Sequence, residues 1–360
     1  MEDAYEKLAQ RLDATPNGFP RTESGVELRL LAKLFTPEEA TLAAELRLEP
    51  QTAEELAPRL GRDRQELRQM LKSMLKKGLI DAEPGRGGFA YKLMPFVVGI
   101  YEHQNAQIDE EFARLFEEYY RQAFHRVMTM APSVHRVIPV EEAIPWQVEV
   151  LPYERASHYI EQARAWGVLN CICRVQKRLI GQGCRHSVEN CLVLSPRPGA
   201  FDHADTIRAL SKEEALAILA AAEQEGLVHS TSNIQEGVTY ICNCCICSCG
   251  VMRGVAEFGA LSAVAPSSLQ ADVDASLCTA CGTCATRCQF GAIVLQDACA
   301  EVDVRHCFGC GLCVSTCPSG AMQLVARSRK EHQPPPRTEQ DWRRLRTLAR
   351  SKADGSDASQ

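Results

Sequence analysis

Apolar positions in the first 130 residues recur with a helical period. Leu67, Met70, Leu71, Met74 and Leu75 fall at i, i+3, i+4, i+7 and i+8, the spacing of one buried helical face. Thr52-Ala-Glu-Glu55 is a capping box that opens a short helix through Leu60, and Asp63-Arg-Gln-Glu66 repeats the signal after a turn at Gly61. Leu79–Glu83 and Phe89–Met94 flank Pro84-Gly-Arg-Gly-Gly88, a pattern that predicts a hairpin with a Gly-rich tip. A long amphipathic helix is expected from Gln104 to Met130, with Ile108, Phe112, Leu115, Phe116, Tyr119 and Phe124 on its apolar side.

The texture changes near Pro132. Two β-like runs, Val134–Val140 and Gln147–Leu151, precede a helix from Tyr153 to Trp166, which leads into Val168-Leu-Asn-Cys171-Ile-Cys173. Ser211-Lys-Glu-Glu214 caps a helix that runs to Gly226, and strands are expected at Leu227–His229 and Val238–Cys249. Pro266-Ser-Ser268 reads as a linker. Beyond Val325 the chain turns polar, with Gln333-Pro-Pro-Pro336, a basic helix over Trp342–Arg350 and a disordered end from Ser351 to Gln360. The expected plan is a multidomain α+β chain: 1–131 helical with a hairpin, 132–265 mixed α/β, 270–327 a small third domain and 328–360 a flexible polar tail.

Composition changes this picture at one point. A length of 360 residues, 45% hydrophobic and 24% charged, is ordinary for two or three soluble domains. The net charge of −6 and 6% aromatic content argue against a chain built mainly to bind nucleic acid. The 18 cysteines stand out, because all lie at or after Cys171. The acidic start lacks the features of a secretory signal, and no stretch approaches the roughly 18 apolar residues of a membrane span. A cytoplasmic setting with little oxygen is therefore expected, where clustered thiols read as metal ligands rather than disulfides.

Cys278-Thr-Ala-Cys281-Gly-Thr-Cys284-Ala-Thr-Arg-Cys288 has the spacing C-x2-C-x2-C-x3-C, and Cys307-Phe-Gly-Cys310-Gly-Leu-Cys313-Val-Ser-Thr-Cys317 repeats it before Pro318. Flanks repeat too: Ala271-Asp-Val-Asp matches Ala300-Glu-Val-Asp, and Gly291-Ala-Ile matches Gly320-Ala-Met. Three thiolates on one tight loop cap three irons of a cubane, and the fourth ligand comes from the other repeat. That assigns one [4Fe-4S] cluster to Cys278, Cys281, Cys284 and Cys317, and a second to Cys307, Cys310, Cys313 and Cys288. Residues 272–326 thus resemble the bacterial-type ferredoxins with two [4Fe-4S] clusters, which implies a ferredoxin-like double βαβ fold. Gln289 departs from the family pattern, which has proline there, and an effect on potential is expected. Cys299 falls outside both motifs and reads as a spare thiol.

Nine more cysteines lie between Cys171 and Cys249. If residues 242–249 are extended, Cys242 and Cys244 share one face and Cys245, Cys247 and Cys249 the other. Cys171, Cys173, Cys184, Cys191, Cys242, Cys244 and Cys245 are the candidate ligands of a third centre. Thiolate donors leave two metals open there, a further [4Fe-4S] cluster or zinc. The stretches Cys171-Ile-Cys173-Arg, Gly183-Cys184-Arg-His-Ser-Val-Glu189-Asn-Cys191 and Ile241-Cys-Asn-Cys-Cys245 are similar to poorly characterised multi-cluster iron–sulfur proteins of anaerobes. His186 and His229 are ligand or proton-carrier candidates, although a lone histidine more often simply makes a hydrogen bond.

Helix, turn, helix and hairpin over residues 25–95 resemble a winged-helix domain of the MarR or ArsR kind. The resemblance implies a DNA-facing surface at Arg64, Arg68, Lys72 and, on the wing tip, Arg86. Twelve basic against eleven acidic residues over that span make a weak basic footprint, so a solvated helix face, or a winged helix that docks protein, is favoured over DNA. No phosphate loop, nucleophile elbow or flavin fingerprint occurs. The expectation is an electron-transfer component, not a complete enzyme, that serves a partner oxidoreductase. The alternative is a redox-responsive transcription regulator.

Overall fold

The computed structural model describes residues 2–85, 88–145, 150–328 and 332–357, and most of the expected run Gln147–Leu151 lies outside them. Two compact units emerge: residues 1–127 with 179–181, and residues 128–178 with 182–360. The Cys-rich and ferredoxin segments, expected as separate domains, belong to the same unit.

In the first unit Thr52 caps the helix Ala53–Leu60 through a reciprocal box with Glu55, and Gly61, at φ 62°, ends it in the left-handed conformation that suits glycine. Asp63 caps Arg64–Lys76 by accepting from the backbone N–H groups of Gln65 and Glu66. That helix buries Leu67, Leu71 and Met74. Strands Asp81–Gly85 and Gly88–Lys92 pair in antiparallel register from Asp81↔Lys92 to Gly85↔Gly88, and Gln51–Thr52 adds a third strand beside the second. The helix expected from Gln104 starts six residues later. Asp109 accepts from Phe112 N at 2.8 Å and fixes the start of Glu110–Tyr119, which continues through a π turn at Tyr120–Phe124 into His125–Met128.

The second unit is built on a seven-stranded sheet. In order its strands are Val264–Ala265, His135–Val137, Val228–Ser232, Tyr240–Cys244, Glu189–Ser195, Ala165–Asn170 and Arg208–Leu210. Pairing is antiparallel throughout except between the first two. Ala215 and Leu219, on the capped helix Lys212–Gln224, close a core over Val168, Leu192 and Ile241 of the strands. Two helices were not anticipated, Ile172–Leu179 after Cys171 and Gly250–Phe258 after Cys249. The expected helix Tyr153–Trp166 shrinks to Ala156–Gln162, because Ala165–Asn170 is drawn into the sheet between two strands.

The ferredoxin segment repeats β-α-β. Leu269–Val273, helix Thr283–Arg287 and Ile293–Leu295 are followed by Ala300–Val302, helix Leu312–Ser315 and Met322–Ala326. The outer strands pair antiparallel over five residues, and the inner two pair with each other. Val140 N donates to Cys310 O at 2.8 Å and Ser267 N to Phe308 O at 3.1 Å, so backbone bonds tie this segment to the large sheet's surroundings.

The C-terminal segment corrects the expectation of a flexible tail. A helix runs from Glu339 to Asp357, seven residues past the expected end of order at Arg350. It is anchored by buried side chains. Trp342 Nε1 donates to Ser133 O at 2.9 Å, and Arg346, 0% exposed, donates to Met130 O at 2.6 Å and Pro132 O at 2.7 Å. Trp342→Ala should destabilise this unit by about 3 kcal/mol and open the segment after Pro336 to limited proteolysis. Denaturant titration and cleavage rate measure the two effects.

Candidate metal centres

The duplicated loops wrap two cavities. One, of about 300 Å³, is lined by Cys278, Cys281, Cys284 and Cys317. The other, of about 350 Å³, is lined by Cys307, Cys310, Cys313 and Cys288. Each cavity therefore takes three cysteines from its own loop and one from the helix end of the other repeat. Backbone N–H groups point at the sulfurs: Ala300 N donates to Cys278 Sγ at 3.5 Å, Ala271 N to Cys307 Sγ at 3.3 Å and Ala292 N to Cys288 Sγ at 3.3 Å. Such bonds favour the thiolate and raise the potential of a bound cluster. Four converging sulfurs and this donor shell fit a cubane.

The two cavities differ in exposure. Cys281 is exposed and Cys278 and Cys317 half-buried, whereas Cys307 and Cys313 are buried and Phe290 and Phe308, 4.4 Å apart, both line the second cavity. Burial pushes the Cys310 thiol up to about 12, so a metal entering there must displace its proton. Cys299 sits in contact with Cys278 without lining either cavity.

Gln289 makes tertiary contacts that its place in the motif did not reveal. Its Oε1 accepts from Ile246 N at 2.8 Å, and its Nε2 donates to Gly226 O and, at 3.4 Å, to Cys244 O. A proline there could make none of these bonds. The residue after Cys288 thus clamps the second cavity to the Cys-rich loop.

The nine middle cysteines separate into two groups, and this redraws the expected third centre. Six stand as mutual neighbours that close a ring of thiols. Cys171 meets Cys173 and Cys191, Cys173 meets Cys249, Cys191 meets Cys242, and Cys244 meets both Cys242 and Cys249. Sheet register builds most of it. The pair Leu192↔Ile241 sets Cys191 opposite Cys242, and the two-residue period puts Cys244 on the same face. Hydrogen bonds from Cys173 and Cys191 hold the Cys171 thiol well below its ordinary range, and those from Cys242 and Cys249 do the same for Cys244. Cys184 and Cys245, expected with this set, belong instead to the second group, Cys184, His186, Cys245 and Cys247. The expected extended run ends at Cys244, where the chain turns, so Cys249 swings back to the face of Cys242 as the N-cap of a helix.

Arg174 lies beside both groups. It is 1% exposed and donates to Asn190 Oδ1 at 2.8 Å, Ser187 O at 3.0 Å and Asn243 O at 2.7 Å. Burial alone would lower its pKa, and Cys171, Cys245 and Cys244 outweigh that and raise it. Among the described residues no carboxylate pairs with it, and the charges that hold its own are those of sulfur. His229 is a buried structural residue: its Nδ1 meets Asn243 Oδ1 at 2.6 Å and burial lowers its pKa.

On the first unit, Arg64 and Lys72 are exposed, Arg68 is paired with Glu54 at 2.8 Å, and Arg86 lies outside the described residues. Arg64, Arg68 and Lys72 fall four residues apart on the helix Arg64–Lys76 and so share one face.

Residues 271–294 and 300–323 each match the family model described as the 4Fe-4S binding domain. No curated protein and no solved structure matches the chain. The segment 271–323 is thus similar to 4Fe-4S binding domains, twice over, and the match covers this segment alone. Among the described residues no helix is long and apolar enough to cross a membrane.

The two loops differ at one backbone position. Gly309, at φ 68°, has no room for a Cβ, which would collide with Leu269 O and Ser267 Oγ, while Ala280 occupies the matching place at φ 51°. Gly309→Ala should therefore destabilise the unit by about 3 kcal/mol and lower its iron content. Ala280→Gly should retain full iron, as metal analysis of the two variants will show.

Proposed function

We propose that the protein passes low-potential electrons one at a time to or from a partner oxidoreductase, through two [4Fe-4S] clusters. One is held by Cys278, Cys281, Cys284 and Cys317, the other by Cys307, Cys310, Cys313 and Cys288. The observation that carries this reading is the exchange of Cys288 and Cys317 between the two cavities, the arrangement that two adjacent cubanes require. When bound, such clusters supply one-electron transfer and no group chemistry.

The chain's residues give the pair a direction. Phe290 and Phe308 line the second cavity beside the buried Cys307 and Cys313. The first opens to the surface at Cys281, and Leu277, Val294 and Leu295 stand 46–52% exposed in the strand and loop beside it. That apolar rim suits transient docking of a redox partner. On the other side, Gln289 clamps Cys288 to the Cys-rich loop, so the six-thiol ring of Cys171, Cys173, Cys191, Cys242, Cys244 and Cys249 stands as a third centre feeding the second cavity. Six soft thiolate donors suit a further iron–sulfur cluster.

Anaerobic iron and sulfide analysis tests the reading. At least eight irons per chain are expected from the ferredoxin cavities, and four or fewer after full reconstitution would contradict it. Cys281→Ala and Cys317→Ser should abolish the same EPR signal, and Cys310→Ala and Cys288→Ser the other. Cys242→Ser should remove only the iron in excess of eight.

A further inference from the structure

The four ligand atoms of Cys184, His186, Cys245 and Cys247 all lie within 4.8 Å of one another. Cys184 Sγ is 3.9 Å from Cys245 Sγ, and His186 Nδ1 is 3.3 Å from Cys184 Sγ. A tetrahedral zinc ion, with Zn–S near 2.3 Å and Zn–N near 2.0 Å, sets its sulfurs about 3.8 Å apart and a sulfur about 3.5 Å from the nitrogen. These two edges have that size, and the remaining pairs lie within 4.8 Å. A cubane does not fit the same four atoms, since each of its thiolates stands outside a different iron and the set must spread well beyond this spacing.

The tetrad comes from two turns, and both are held in place by bonds outside it. Arg178 Nη2 donates to His186 O at 2.8 Å, and Ser187 N donates to Glu225 Oε2 at 2.8 Å. On the other turn Ile246 N is fixed by Gln289 Oε1, and Cys249 N donates to Cys245 O at 3.1 Å. The ligands are thus oriented by neighbours, as metal sites require. Charge agrees with the assignment. Three thiolates around a divalent ion leave one negative charge, and the buried guanidinium of Arg174 lies against Cys245 to balance it. Cys247 is exposed, which leaves an entry path.

We propose that Cys184, His186, Cys245 and Cys247 form a closed mononuclear zinc site, separate from every iron–sulfur centre of the chain. With four protein ligands and no open position the site is structural. It staples the turn at Cys184–His186 to the turn at Cys245–Cys247, and so fixes the loop that Gln289 grips beside the second ferredoxin cavity. The proposal does not depend on how many clusters the other cysteines hold.

The test uses full-length protein purified anaerobically from zinc-supplemented cells. One zinc per chain is expected, and its X-ray absorption fine structure should give three sulfurs near 2.3 Å and one nitrogen near 2.0 Å. Cys184→Ser should lose at least 80% of the zinc with iron and sulfide unchanged. His186→Cys, which keeps four ligands, should retain zinc and shift the shell to four sulfurs. Zinc far below one per chain, a shell of oxygen and nitrogen, iron in place of zinc, or an unchanged shell in His186→Cys would each overturn the site. Loss of iron from the ferredoxin cavities bears on the electron-transfer reading instead and is counted separately in the same sample.

Discussion

Thiolates gathered in a protein interior repel one another, so they take up protons unless a cation neutralises them. That constraint organises the second unit. Seventeen of its cysteines fall into four sets, two cavities of four, a ring of six and a group of three with His186. Each set is surrounded by groups that favour negative sulfur: backbone N–H donors at Cys278, Cys288 and Cys307, neighbouring thiols around Cys171 and Cys244, and Arg174 between the ring and the histidine-containing group. A buried guanidinium with no carboxylate partner among the described residues makes sense only beside anions, and the anions within its reach are sulfur.

The same logic explains why ferredoxin segment and Cys-rich sheet form one body. A free two-cluster domain needs only its own repeats. Here Val140, Ser267 and Gln289 commit polar contacts to holding it against the large sheet. These contacts converge near the second cavity and leave the mouth of the first open. Rigid attachment on one side and exposure on the other give the segment distinct inner and outer ends.

How much of this could be read from the chain depended on how locally each feature is encoded. The eight ferredoxin cysteines are set by spacing within two short loops, so their grouping into two sets of four was legible. The middle cysteines were visible as ligands but not as sets, because the register of Leu192 against Ile241, and not any local spacing, brings Cys191 to Cys242. Cys247 and Cys249 were missed for a related reason. Extrapolating a strand past Cys244 puts Cys249 on the wrong face, whereas a turn and a helix N-terminus return it. The basic helix over Trp342–Arg350 was expected, but its extent from Glu339 to Asp357 and its anchoring were not. Its anchor, Trp342 followed four residues later by Arg346, is a helical pair whose partners, the carbonyls of Ser133, Met130 and Pro132, lie some two hundred residues earlier in the chain. Gln289 looked like a local defect until its tertiary partners were known.

The account turns on two cubanes lying side by side and sharing cysteines across the repeat. Cys284, Cys307 and Cys313 belong to one buried core, so the two cavities are immediate neighbours. Low-temperature EPR of the fully reduced protein reads this directly. Two reduced clusters at such proximity should give a spectrum broadened and split by their magnetic coupling, which simplifies to a single uncoupled signal in Cys317→Ser. An uncoupled spectrum in the unaltered protein, or no iron–sulfur signal at all with zinc on these cysteines, would contradict the account.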